Sequence, residues 1–176
     1  MKVYFLRHAE SEYNVNGWIN QNPKIKVSLT QKGIKQAKKI AEDFKKINFD
    51  AIYTSQFPRT QQTGEIINKF HNLKIKIDKR LGDIKIGFEG QSDREFFKIA
   101  GKKFFNFKMD GNESWEDLKK RVADFLNWLQ KKRYSKVLII THQWVVRVAN
   151  QIVNNLSNEE AFKLPVKNSD FIILDI

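Results

Sequence analysis

Two short apolar runs, Lys2-Val3-Tyr4-Phe5-Leu6 and Lys136-Val137-Leu138-Ile139-Ile140, predict strands buried on both faces. Each is followed at once by a polar pair that ends in histidine, Arg7-His8 in the first case and Thr141-His142 in the second. From Leu29 to Ile47 the apolar residues Ile34, Ala37, Ala41, Phe44 and Ile47 recur at helical spacing, with Ser28 or Thr30 as the cap. Ala51-Ile52-Tyr53 predicts a short strand, and Pro58 suits the first turn of a helix running to about Phe70. Leu73 to Ile77 alternates with lysines, the pattern of a strand near a sheet edge. Trp115, Leu118, Val122, Phe125, Leu126 and Leu129 form one helical stripe behind an approximate capping box, Ser114-x-x-Asp117. Val145 to Val153 predicts another helix directly after His142, and Phe171 to Leu174 a final strand. Strands alternating with helices, without repeats or linkers, predict an α/β fold with helices on both sheet faces, in one domain spanning 1–176.

One segment breaks the pattern. Gln91 to Gly111 holds Phe96, Phe97, Phe104, Phe105 and Phe107 together with Lys98, Lys102, Lys103 and Lys108. It is expected to form a small helical insert that packs through its phenylalanines, or a lid that brings lysines to a substrate.

Composition narrows the possibilities. With 176 residues, 41% hydrophobic and 30% charged, the chain can bury a proper core. It contains no cysteine, which excludes disulfides, thiolate catalysis and cysteine-based metal sites. No apolar stretch approaches the roughly 18 residues of a membrane span. Arg7 interrupts the first strand before a signal-peptide core could form, so the expected location is cytoplasmic. The net charge of +12 comes from lysines spread over most helices, a solvated coat. A nucleic-acid stripe would concentrate on one face, so neither a nucleic-acid nor a membrane partner is expected.

The strand-end histidines carry the chemistry. Open α/β sheets collect ligands at the carboxyl ends of their strands, and the chain has only three histidines, two of them placed there. A phosphate monoester needs fixed cations around its non-bridging oxygens, an in-line nucleophile and an acid for the leaving alcohol. Histidine can be the nucleophile, arginine forks can clamp the oxygens, and the helix start after His142 favours an anion. The third histidine, His71, follows a helix and reads as a surface turn residue.

Arg7-His8-Ala9-Glu10-Ser11-x-x-Asn14 resembles the R-H-G-E-[ST]-x-x-N signature of the histidine phosphatase (phosphoglycerate mutase-like) family. Leu29-Thr30-x-x-Gly33-x-x-Gln36-Ala37, Ser55-x-x-x-Arg59-x-x-x-Thr63, Gly111-x-Glu113-Ser114 with Arg121, Thr141-His142-x-x-x-x-Arg147 and Asn168-Ser169 resemble its further segments in order. The resemblance implies a three-layer α/β/α sandwich around a mostly parallel central sheet with one antiparallel edge strand. It implies that His8 becomes phosphorylated, that Arg7, Arg59 and His142 surround the phosphoryl group, and that Asn14 and the backbone N–H of Gln143 donate to it. No metal and no cofactor are implied. The expected partner is a small phosphorylated metabolite or a phosphoprotein.

Three departures from the family pattern bear on substrate. In Leu81-Gly82-Asp83-Ile84-Lys85-Ile86-Gly87-Phe88-Glu89-Gly90, Asp83 stands where the family carries Glu, and the loop is one residue shorter. Asp83 is the expected general acid; Glu89 is the alternative, and a site without a dedicated acid the third reading. Ala9 and Gln143 each replace a glycine next to a site histidine. The expected activity is metal-independent hydrolysis of phosphate monoesters through phospho-His8. The alternatives are a phosphoglycerate-mutase-type phosphomutase and a phosphohistidine or phosphoprotein phosphatase.

Overall fold

A computed structural model describes the backbone of residues 1–176 and all side chains except those of Lys102 and Lys103, so these two lysines of the expected lid lie outside the described residues. In chain order the elements are β1 (Lys2–Arg7), α1 (Glu12–Asn16), α2 (Gln31–Phe44), β2 (Ala51–Thr54), α3 (Pro58–Asn68) and β3 (Ile75–Ile77). There follow α4 (Asp93–Ala100), α5 (Trp115–Gln130), β4 (Lys136–Thr141), α6 (Gln143–Asn154), α7 (Asn158–Lys163) and β5 (Phe171–Asp175). Short 3₁₀ turns lie at Lys79–Leu81 and Gly101–Asn106. The sheet runs β3-β2-β4-β1-β5, parallel throughout except for β5, which pairs antiparallel with β1 at the edge. Among the described residues no helix is long and apolar enough to cross a membrane.

The unbroken apolar runs have a simple cause. In β1, Val3 and Phe5 point to the layer holding α5 and α6, while Tyr4 and Leu6 point to the layer of α2 and α3. Both faces of a central strand are buried, so every position must be apolar. β4 obeys the same rule with Val137 and Ile139 on one face and Leu138 and Ile140 on the other. The two strands are neighbours in register, Arg7 opposite Thr141, and His8 N–H donates to the Thr141 carbonyl at 2.9 Å. The fold thus delivers both histidines to one sheet edge, side by side.

Several boundaries differ from the sequence-based expectation. α2 begins after Thr30, whose hydroxyl accepts from the Gly33 N–H at 2.9 Å, and it stops at Phe44. The third strand shrinks to Ile75–Ile77 because the Asn68 amide bonds both Leu73 backbone groups, at 2.7 and 3.0 Å, in place of a ladder partner. α7 carries a capping box between Ser157 and Glu160, and α4 one between Ser92 and Glu95. Both are S-x-x-E signals present in the sequence. In the 91–111 segment, Phe96 and Ala100 are buried, and Phe104 meets Trp115 and Trp144 with ring centroids 5.9 and 5.3 Å apart.

Candidate active site

His8 and His142 face each other edge to face, ring centroids 5.3 Å apart, and both are buried. The His8 Nδ1 lies 2.7 Å from the Ala9 carbonyl, which accepts its proton and leaves Nε2 as the ring's acceptor nitrogen. Arg59, from the first turn of α3, donates its Nε–H to that Nε2 at 3.1 Å and one terminal nitrogen to His142 Nδ1 at 3.1 Å. His142 Nε2 is 2.9 Å from Ser55 Oγ, which bonds Thr60 in turn. Ser55 therefore fixes the ring so that Nδ1 faces the site. Arg59 also donates to the Asn20 side-chain oxygen and backbone carbonyl.

Burial sets the charge states. His8 and His142 are both held well below the usual imidazole value of 6.5, first by desolvation and then by the Arg59 guanidinium. Arg7 lends the same repulsion. Both rings are neutral at pH 7, and a neutral imidazole is the nucleophilic form. Burial lowers Arg59 to about 10, which leaves it charged at neutral pH. Arg7 is tied by one terminal nitrogen to the Val166 carbonyl at 2.7 Å, while its buried Nε has no partner among the described residues.

Asp83 sits across the site, its carboxylate 3.6 Å from both Arg59 and His142 Nδ1. Desolvation raises its pKa above the usual 3.8, against the pull of Arg59. The loop that carries it is clamped from α5. Arg121 donates to the carbonyls of Arg80, Gly82 and Asp83 at 2.7, 2.8 and 3.0 Å, and it pairs with Glu113 at 2.6 Å.

Arg7, His8, Asn14, Arg59, Asp83 and Gln143 line one cavity of about 380 Å³. Asn14 spends its side-chain oxygen on Ser11 and Asn168, which leaves its NH₂ to donate. Gln143 opens α6, where the first N–H groups have no intrahelical partner. Its side chain belongs to the wall. Among the described residues no three His, Cys, Asp or Glu side chains form a group that could hold a metal ion.

The histidine phosphatase superfamily (branch 1) model matches residues 3–176. The chain belongs to the histidine phosphatase superfamily. Among the relatives of this superfamily member is a 2,3-bisphosphoglycerate-dependent phosphoglycerate mutase from Thermoplasma acidophilum, 30% identical over 184 residues, covering 100% of this chain and 88% of the mutase. Another is phosphoserine phosphatase 1 from Hydrogenobacter thermophilus, 28% identical over 151 residues, covering 81% of this chain and 71% of that one. The fold is shared with the α-ribazole phosphatase of Shigella flexneri at a TM-score of 0.88 and 22% identity, over 100% of this chain and 91% of that one.

Within the superfamily fold, two expectations change. Glu89 does not turn toward the histidines: its carboxylate accepts from the Gln21 and Asn22 N–H groups and the Asn20 amide. It is a brace for the 20–22 loop. Ala9 is fully buried with Leu29 and Ala37, so its methyl packs beneath α2 and not in the cavity. His71 lies in the turn after α3, as the sequence indicates, half-buried with its ring edge-on to Phe49 at 5.1 Å. Asn20, Gln21 and Ser55 were not singled out from sequence as site residues. Neutral polar side chains in irregular stretches carry no periodic signal, and only the fold brings them to Arg59, the acid loop and His142.

Proposed function

We propose that this protein is a phosphatase that hydrolyses phosphate monoesters through a phosphohistidine intermediate on His8, without an added metal. The observation that carries this reading is His8 itself, buried and neutral, its Nδ1–H on the Ala9 carbonyl and its Nε2 beside Arg59. Arg7 and Arg59, the Asn14 NH₂ and the Gln143 N–H converge on the same cavity as donors for a phosphoryl group. In the first step the Nε2 lone pair forms the N–P bond as the ester P–O bond breaks, and protonated Asp83 gives its proton to the departing alkoxide. In the second, the Asp83 carboxylate takes a proton from water as its oxygen attacks phosphorus. The P–N bond breaks, phosphate leaves, and His8 returns to neutral. Incoming phosphate charge favours protonation of His142, whose Nδ1 faces the site.

The Thermoplasma relative supports a second reading, a phosphomutase built on the same phosphohistidine. The two differ only in the acceptor, water or the hydroxyl of a retained product. Wild type is expected to hydrolyse an aryl phosphate without added metal and to yield an acid-labile phosphoenzyme. His8→Ala is expected to abolish both; sustained turnover by that variant would overturn the mechanism. Transfer of labelled phosphoryl to 2- or 3-phosphoglycerate faster than to water would select the mutase.

A further inference from the structure

The phosphoryl cavity opens on an apolar surface. Phe97 and Phe162 line it, and the same two rings line an adjoining groove of about 260 Å³ whose other walls include Gly101, Phe104 and Phe105. Trp144 borders the cavity and packs against two rings of the groove, 5.3 Å from Phe104 and 5.6 Å from Phe162, ring centroid to ring centroid. Arg147 stiffens this wall, its guanidinium 5.0 Å from Trp144 and 5.1 Å from Phe162 while its Nε donates to the Leu164 carbonyl at 3.0 Å. Phe97, at the junction, stays 38% exposed. A polyhydroxylated leaving group laid along these rings would lose water and find, among the described residues of the groove, only the exposed Glu159 and Lys163 side chains to bond. An alkyl chain there would gain from every carbon removed from water.

We propose that the preferred substrates are phosphate monoesters of alcohols with an extended apolar chain. The phosphoryl group sits at His8, and the chain runs past Phe97 and Phe162 into the groove formed with Phe104 and Phe105. The proposal rests on the phosphatase reading above for its chemistry. Phe97 and Phe162 are walls of both the cavity and the groove, and this shared boundary identifies the occupant: a chain anchored at His8 that leaves past these two rings meets the groove next.

The test pairs binding with turnover. Affinity for a series of n-alkylphosphonates, ethyl to decyl, is measured by calorimetry, and kcat/KM for the matching n-alkyl phosphates is measured alongside. Affinity is expected to rise roughly two- to fourfold per added CH₂ until the groove is full. Phe105→Ala should flatten that rise, and Glu159→Trp, at an exposed position lining the groove, should cut it short. Both variants should leave ethyl phosphate kinetics unchanged. Affinity and kcat/KM independent of chain length would overturn the proposal. So would concentration-dependent dimerisation abolished by Glu159→Trp together with flat affinity, which would assign the groove to a second copy. Rising affinity without turnover of any phosphate would sustain the apolar-chain site and overturn the phosphatase reading. Turnover without chain-length dependence would do the reverse.

Discussion

At the scale of the residue, the site works by displacing protonation equilibria in opposite directions. Burial and two guanidiniums keep His8 neutral far below pH 6.5, while burial raises Asp83 above 3.8. In the proposed mechanism the nucleophile is therefore competent in acid, and the general acid is spent as pH rises. The kcat/KM of wild type for an alkyl phosphate should show no loss controlled by His8 between pH 6.5 and 5.5. It should decline on the alkaline side as Asp83 ionises, and Asp83→Asn should remove that decline. A rate that falls on acidification with an ordinary imidazole midpoint would contradict this assignment. Asp83→Asn should also lower kcat on alkyl phosphates by about 10²–10⁴-fold, the usual range for a general acid. Aryl phosphates, whose leaving groups need little protonation, should lose far less. Equal losses on both would make Asp83 a shaping residue only. The histidines and arginines were legible in the sequence because charged groups at the ends of apolar strands stand out. Asn20 was not, since its part is to receive Arg59 across a distance that only the fold closes.

At the scale of the element, helix starts place the chemistry. Gly33 lies in the first turn of α2, and a Cβ built there would stand 2.0 Å from the Glu10 carbonyl oxygen. Thr30 reinforces this approach, donating both its N–H and its hydroxyl to Glu10. Gly33→Ala should force helix and nucleophile loop apart. Chemical denaturation should then show a loss of about 1–3 kcal/mol, as for other overpacked sites, with kcat reduced as well. α3 holds the loop from the other side, Thr63 accepting from the Ala9 N–H at 3.2 Å while donating to the Arg59 carbonyl at 2.7 Å. The acid loop depends on α5 in the same way. Arg121→Met removes the three bonds to its carbonyls and should lower kcat for alkyl phosphates more than for aryl ones, with KM little changed. A uniform loss across both leaving groups would show that Arg121 only supports the fold. The long helices and central strands were readable from periodicity and caps. The short third strand was not, because the Asn68 side chain competes locally for the Leu73 backbone.

At the scale of the molecule, the same burial that activates the site makes stability depend on pH. His8 and His142 have folded-state pKa values below their unfolded value of about 6.5. Above pH 6.5 neither form binds the proton, and the two groups contribute nothing. Below it the unfolded chain takes up protons that the folded chain refuses, so stability falls as pH drops toward the folded values. Each group can cost up to about 1.4 kcal/mol per pH unit in that window. Thermal unfolding from pH 7 to 5 should show a falling Tm, and replacing either ring with Asn should reduce the slope. Inorganic phosphate should raise Tm if the cavity binds it, by mass action.

The sequence alone determined which strands are buried on both faces and where the two histidines emerge, because such burial and strand-end chemistry are local and periodic, and its ordered motifs carried the resemblance to the family. The tertiary structure alone decided the division of labour around them. It turned Glu89 into a loop brace, put Ser55 behind His142, hid the Ala9 methyl beneath α2 and joined the Phe97–Phe162 wall to the cavity. Those assignments depend on contacts between residues far apart in the chain, and such distances are fixed only when the sheet closes its register and the helices pack on it.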